Sequence, residues 1–110
     1  MQINIKATNL ELAPKMKEYI HLKLDMLEKY LGSIRILNCD VEVGMTVGKQ
    51  RSGKIYRAEV NLELPGELLR VEKTEKDLFK AIDKVKDHLA RAIKRYKERI
   101  FNRKRQAREF

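Results

Sequence analysis

The stretch "ILNCDVEVGMTV", Ile36 to Val47, alternates: Leu37, Cys39, Val41, Val43, Met45 and Val47 take one side, while Asn38, Asp40, Glu42 and Thr46 take the other. Successive side chains of an extended chain point to opposite faces, so the period of two predicts a strand with one dry and one wet face. The same period returns in "IYRAEVNLELPG", Ile55 to Gly66, with Tyr56, Ala58, Val60, Leu62 and Leu64 inward. A Gly- and charge-rich loop, Gly48 to Lys54, joins these two strands as a hairpin. Pro65-Gly66 predicts a second turn, because proline fixes one backbone angle and glycine accepts the positive φ that follows. A short strand over about 68–73, with Leu69 and Val71 inward, comes next.

Toward the N-terminus the period changes. In "LAPKMKEYIHLKLDMLEKYLG", Met16, Ile20, Leu24, Leu27 and Leu31 recur at helical spacing, Pro14 suits a first turn and Gly32 a stop, so one helix is expected from Pro14 to Leu31. Before it, Ile3, Ile5 and Ala7 alternate with Gln2, Asn4 and Lys6, giving a strand over Met1–Ala7. Toward the C-terminus, Thr74-x-x-Asp77 has the spacing of a capping box, with Asp in place of Glu or Gln. Leu78, Ile82, Val85, Leu89, Ala92, Ile93, Tyr96 and Ile100 then form the stripe of a long helix. The apolar period stops after Phe101, so "NRKRQAREF", residues 102–110, is expected as a disordered basic tail behind a domain of residues 1–101. The order β-α-β-β-β-α predicts an α+β fold. The first two strands, joined through a helix, should be parallel with a right-handed crossover. Both helices need the apolar face of a four-stranded sheet, so they should pack side by side on it and leave the other face wet.

The 110 residues suit a single domain, and 43% hydrophobic content is enough for one modest core. The formal charge is +9 and very unevenly placed: Lys84 to Arg108 holds eleven Lys or Arg and only Asp87 and Glu98 as acids. Such a balance points to nucleic acid ahead of a membrane surface. The single cysteine, Cys39, excludes an internal disulfide and reads as a small core residue. "MQINIKATN" lacks the apolar run of a signal peptide, and no stretch approaches a membrane span, so a soluble cytoplasmic protein is expected.

On the last helix, Lys84, His88, Arg91 and Arg95 are spaced by four, three and four, which places them in one line beside the apolar stripe. Lys94 stands beyond this line, and Lys86 and Lys97 flank the stripe's other side. A merely solvated helix face carries mixed signs with acids four residues away. Here few acids answer, and crowded like charges cost stability, so the line is a candidate polyanion contact. A helix is a stiff rod that can meet several phosphates without first ordering a loose chain. The expected wet sheet face shows no pair of exposed aromatics to stack single-stranded bases, which favours structured RNA recognised by shape and backbone charge.

Other candidate chemistry is weak. His21 and His88 are far apart with no ligand cluster, so no metal and no cofactor are expected. "GMTVGKQRSGK" lacks P-loop spacing; as a solvated loop, its Lys49, Arg51 and Lys54 are candidate secondary RNA contacts. Asp83 and Asp87 read as local charge balance on a basic helix rather than as catalytic groups. No enzyme, membrane partner or small-molecule substrate is expected.

"MQINI", "KLDMLEKYL" and above all "DLFKAIDKVKDHLARAIKRYK" together resemble the ribosome hibernation promoting factor family, also called ribosome-associated translation inhibitors. Asp77, Leu78, Phe79, Ala81, Ile82, Asp83, Leu89, Arg91, Arg95 and Lys97 carry the pattern of its last helix, and the likeness covers about residues 1–100. The resemblance implies a sheet with two helices on one side, related to double-stranded RNA-binding domains. It also implies binding of the small ribosomal subunit and its rRNA, in the channel between head and body. There the domain would overlap the mRNA and tRNA paths and keep idle ribosomes inactive in stress and stationary phase. By the same resemblance, Lys84, Arg91, Lys94, Arg95 and Lys97 contact ribosomal RNA, with Lys23 and Lys29 as a second set. His88 stands where members often carry Lys, and Ala7-Thr8 where a glycine is common. Long members add a ribosome-pairing C-terminal domain, so the chain is expected to be a short form or the N-terminal domain of a long one, monomeric in isolation. A general structured-RNA-binding module is the competing expectation.

Overall fold

A computed structural model describes residues 1–47 and 53–108. The elements are β1 (Asn4–Thr8), α1 (Pro14–Asp25), α2 (Glu28–Leu31), β2 (Asn38–Val47), β3 (Lys54–Leu64), β4 (Glu67–Glu75) and α3 (Leu78–Arg108). The four strands form one sheet in the order β1-β2-β3-β4. β1 runs parallel to β2, with Ile5 opposite Val41, and the other two pairs are antiparallel, with Val41 opposite Val60 and Val60 opposite Val71. This is the expected α+β architecture. The β3–β4 turn is Pro65-Gly66, where Gly66 takes φ +80°, a region closed to most side chains.

Alternation places Cys39, Val41, Val43, Ala58, Val60, Leu62, Leu64, Leu69 and Val71 in the core. The helices answer with Met16, Ile20, Leu24, Leu27 and Leu31, and with Leu78, Ile82, Val85, Leu89, Ile93 and Tyr96. These residues form one cluster, so both helices cover the same sheet face. α1 and α3 run side by side in the same direction: Tyr19 meets the Phe79 ring edge-on at 4.8 Å, and Tyr30 of α2 lies beside Lys97. α3 runs antiparallel to β4, with Lys84 near Glu75 at one end and the Tyr96 hydroxyl donating to the Pro65 carbonyl at 2.6 Å toward the other.

Several expectations need correction. The helix expected over Pro14–Leu31 is two helices, because the chain tightens at Met26-Leu27 into three-residue hydrogen bonds, Leu27 N–H to Leu24 O and Tyr30 N–H to Leu27 O. The N-terminal amine sits across this joint, paired with Asp25 and Glu28, and Glu28's hydrogen bond raises its pKa. The cap of α3 is Asp77, whose Oδ1 accepts the Phe79 N–H at 2.9 Å; Thr74 is still in β4. Leu37 and Val47, expected inward, are 46% and 71% exposed. Leu37 precedes β2, and Val47 pairs with Lys54 beyond the row where α3 begins, so no helix covers either. Strand β1 begins at Asn4 rather than Met1.

The tail expectation is also corrected: residues 102–108 continue α3. Asn102 to Arg108 contains no Gly or Pro, and Arg, Lys, Gln and Ala are good helix formers. A helix that has left the body needs no apolar stripe, so loss of the stripe marked the end of packing and not the end of the helix. At about 1.5 Å per residue, 31 residues give a rod of roughly 46 Å.

Candidate nucleic-acid interface

The stripe from Leu78 to Tyr96 fixes how α3 is turned on the sheet and so fixes where its cations emerge. They emerge in two sets. Lys84, His88, Arg91 and Arg95, expected in one line, lie on the side toward β4. Lys84 reaches Glu75 at 3.1 Å, and Lys84 and Arg91 line a groove with Lys73 and Thr74 of β4. Lys94 and Lys97 emerge on the side toward α2. There Lys94 stands 5.5 Å from the centre of the Tyr30 ring and Lys29 stands 5.1 Å from it, while Lys97 donates to the Tyr30 carbonyl at 2.7 Å. Cations are drawn to the electron-rich ring face, and the last carbonyls of a short helix lack intrahelical partners. Tyr30 therefore gathers Lys29, Lys94 and Lys97 into one nest.

The residues differ in how much of their charge is already answered. Lys84 is paired with Glu75, and Lys23 with Asp83 at 3.5 Å while lying 5.4 Å from the Tyr19 ring. Asp83 also accepts a hydrogen bond from Tyr19 Oη at 2.5 Å, which pushes that phenol up to about 12. Asp83 thus ties α1 to α3, and Asp87 pairs with Lys86 at 3.2 Å, as expected for charge balance. Among the described residues, Lys29, Arg91, Lys94, Arg95 and Lys97 form no ion pair. These five are unneutralised, carried on one rigid frame.

His88 is half-buried, and its Nδ1 has no hydrogen-bond partner among the described residues. Burial lowers its pKa, and Lys73, Arg91 and Arg95 lower it further, so the ring in the line of cations resists protonation. Three features were missed in the sequence. Lys73 shares the inward parity of Leu69 and Val71, which was a usable signal. Tyr30 had none, because its role depends on α2 meeting α3. The continuation of α3 adds exposed Arg103, Lys104 and Arg105 in its last turns, with Phe101 64% exposed and the Arg105 guanidinium 6.0 Å from its ring. Cations there also suit the negative end of the helix dipole.

The sheet's other face has the opposite character. Lys6, Glu42, Glu59 and Glu72 form one row across it, and Asn4, Asp40, Asn61 and Arg70 the next. Glu59, expected to be wet, is only 6% exposed beneath Arg57, Asn61 and Arg70. Burial would raise its pKa, but the hydrogen bonds from Asn61 and Arg70 and the charges of Arg70 and Arg57 outweigh that and hold it below the usual range. Cys39 is 1% exposed, and burial pushes its thiol up to about 11. Lys49 and Arg51 lie outside the described residues; Lys54 opens β3 and is exposed. Among the described residues no group of three or more His, Cys, Asp or Glu is placed to hold a metal. Among them, no helix is long and apolar enough to cross a membrane.

A family model described as Sigma 54 modulation protein / S30EA ribosomal protein matches residues 3–100. A ribosome hibernation promotion factor of Deinococcus radiodurans is 34% identical over 110 residues, covering 98% of this chain and 56% of that protein. One from Bacillus subtilis is 30% identical over 104 residues, covering 94% and 52%. The chain thus spans about half the length of the curated relatives it matches. Among solved structures, the N-terminal domain of Thermus thermophilus Protein Y superposes with a TM-score of 0.69 at 30% identity, covering 87% of this chain and 99% of that one. A ribosomal subunit interface protein from Coxiella burnetii, with a TM-score of 0.68 at 18% identity over 89% of this chain and 99% of that one, shares the fold.

Proposed function

This chain belongs to the Sigma 54 modulation protein / S30EA ribosomal protein family, and from that premise we propose that it acts in ribosome hibernation by seating α3 and the α2 nest against ribosomal RNA of the small subunit. The domain of residues 1–101 fills the channel between head and body and occludes the mRNA and tRNA paths, silencing idle ribosomes in stress and stationary phase. The contacts are Arg91, Lys94, Arg95, Lys97 and Lys29, with Lys84, His88 and Lys23 beside them. Occlusion needs no bond-making step, no cofactor and no small-molecule substrate, and the domain acts as a monomer.

The observation that carries this is the set of five cations without acidic partners among the described residues, fixed on two packed helices. Like charges held together cost free energy in the free protein, and a wall of phosphates recovers it. The names of the relatives supply the ribosome as the source of those phosphates. The test is competition: small subunits saturated with the protein should no longer bind tRNA or mRNA. A general structured-RNA module would instead leave tRNA binding intact and would bind an unrelated RNA duplex equally well.

A further inference from the structure

A groove of about 520 Å³ runs between β4 and α3, lined by Glu72, Lys73, Thr74, Lys84, Asp87 and Arg91. Its three acidic neighbours are already engaged: Glu72 with Arg57 at 2.8 Å, Glu75 with Lys84 at 3.1 Å and Asp87 with Lys86 at 3.2 Å. Lys73 of β4 and Arg91 and Arg95 of α3 form no ion pair among the described residues. All three act electrostatically on His88, whose Nδ1 is buried without a partner among the described residues. The groove is therefore a concave place lined by Thr74 and by uncompensated positive charge on two elements, Lys73 and Arg91, and those same cations lower the pKa of His88, which lies outside the lining on α3.

We propose that this groove is a phosphate seat, built by Lys73, Thr74 and Arg91, whose filling is coupled to uptake of one proton by His88. The seat rests on the RNA-binding reading above and adds β4 to the interface; its ligand is a backbone phosphate. Two effects lower the proton affinity of the free ring, burial first and then the three cations. A bound phosphate leaves the burial in place and cancels the repulsion, so the ring accepts a proton more readily in the complex. Linkage fixes the sign: whatever raises the ring's proton affinity on binding strengthens binding as pH falls, by the same factor. The gain develops as pH falls through the bound-state pKa and levels off below the free-state pKa, at about tenfold for each unit separating them.

The seat is tested first without ribosomes. The two histidine ring signals of the full chain are followed by NMR from pH 8 to pH 5, in sulfate and in chloride at equal ionic strength. Sulfate keeps its charge over this range and stands in for phosphate. The midpoint of His88 should rise in sulfate, with His21 on α1 as the internal reference, and Lys73→Gln should remove the rise. An equal midpoint in the two salts, or a rise that survives Lys73→Gln, overturns the seat. Binding to purified small subunits is then measured from pH 8 to pH 6. Wild type should tighten more than His88→Gln, and His88→Lys should bind tightly with little pH dependence. Identical pH slopes for wild type and His88→Gln overturn the coupling. Absence of subunit binding at every pH, with the sulfate response intact, supports the seat and removes the ribosomal reading instead.

Discussion

Reversing the charge of Arg91 and Arg95 separates binding from folding. Both side chains are exposed on α3, off the stripe that runs through Leu89 and Ile93, and no carboxylate pairs with either among the described residues. If Lys29, Arg91, Lys94, Arg95 and Lys97 each meet one phosphate, five contacts at the duplex value of about 0.9 counterion each give a log–log salt slope near −4.5. Raising salt from 50 to 200 mM then weakens wild-type binding about 500-fold. Arg91→Glu/Arg95→Glu removes two contacts, which brings the slope to about −2.7 and the same salt step to roughly 40-fold. At low salt the variant is weaker as well, because the new carboxylates face phosphate. Its thermal midpoint should hold or rise, since the glutamates reduce the like charge crowded along α3 and around His88. The assay is labelled-protein titration of small subunits at four salt concentrations, with a melting curve for each variant. An unchanged slope refutes the assignment of these arginines, and lost binding accompanied by a lower melting midpoint refutes the claim that they play no part in folding.

Leu89→Ala, at the centre of the stripe where α3 meets the sheet, should cost about 2–5 kcal/mol by urea unfolding, since a large-to-small change in a closed core leaves a cavity. Glu59→Gln should flatten the acid limb of the stability curve. The wild-type carboxylate has a pKa below its unfolded value, so its contribution is present above the unfolded pKa and is lost as pH falls through the folded one; acid titration of the folded fraction reads this. Cys39, buried and with its thiol pushed up to about 11, should react with a thiol reagent at neutral pH only as fast as the domain opens, so added urea should accelerate labelling steeply. Ending the chain after Phe101 should leave both the melting midpoint and the salt slope nearly unchanged, because residues 102–107 are exposed and the five counted cations all precede them.

The sheet was legible because alternation is a direct readout of burial: Val41, Val60 and Val71 lie opposite one another in register, and a one-residue slip would have turned each to water. The line Lys84, His88, Arg91, Arg95 was legible for the same reason, since helical geometry alone sets it once Leu89 is known to be buried. What escaped has a common cause. Leu24, Leu27 and Leu31 keep the same spacing whether the helix is continuous or tightened at Met26, so the pattern could not report the joint. The stripe reports contact with a core, so it fell silent at Phe101 while the helix went on. The Tyr30 nest and the groove at Lys73 each need two elements to meet, and local sequence carries only the contribution of one.

The division of charge between the two sides explains why the chain needs a sheet to present one helix. Asp40, Glu42, Glu59, Glu63 and Glu72 belong to the open face, and Arg57 and Arg70 are spent holding Glu59 and Glu72 together there. The open face therefore repels phosphate while the helical face attracts it, and on the proposed RNA-binding reading, a domain with opposite signs on opposite faces would arrive at an RNA wall already turned the right way. A free helix with the sequence of α3 would carry the same cations but would have to choose its rotation about its own axis on binding. Burying Leu78, Ile82, Val85, Leu89 and Ile93 against the sheet makes that choice during folding. The ordering cost of α3 is then met by core packing, and the unneutralised charges at Arg91, Lys94, Arg95 and Lys97 remain available for the partner.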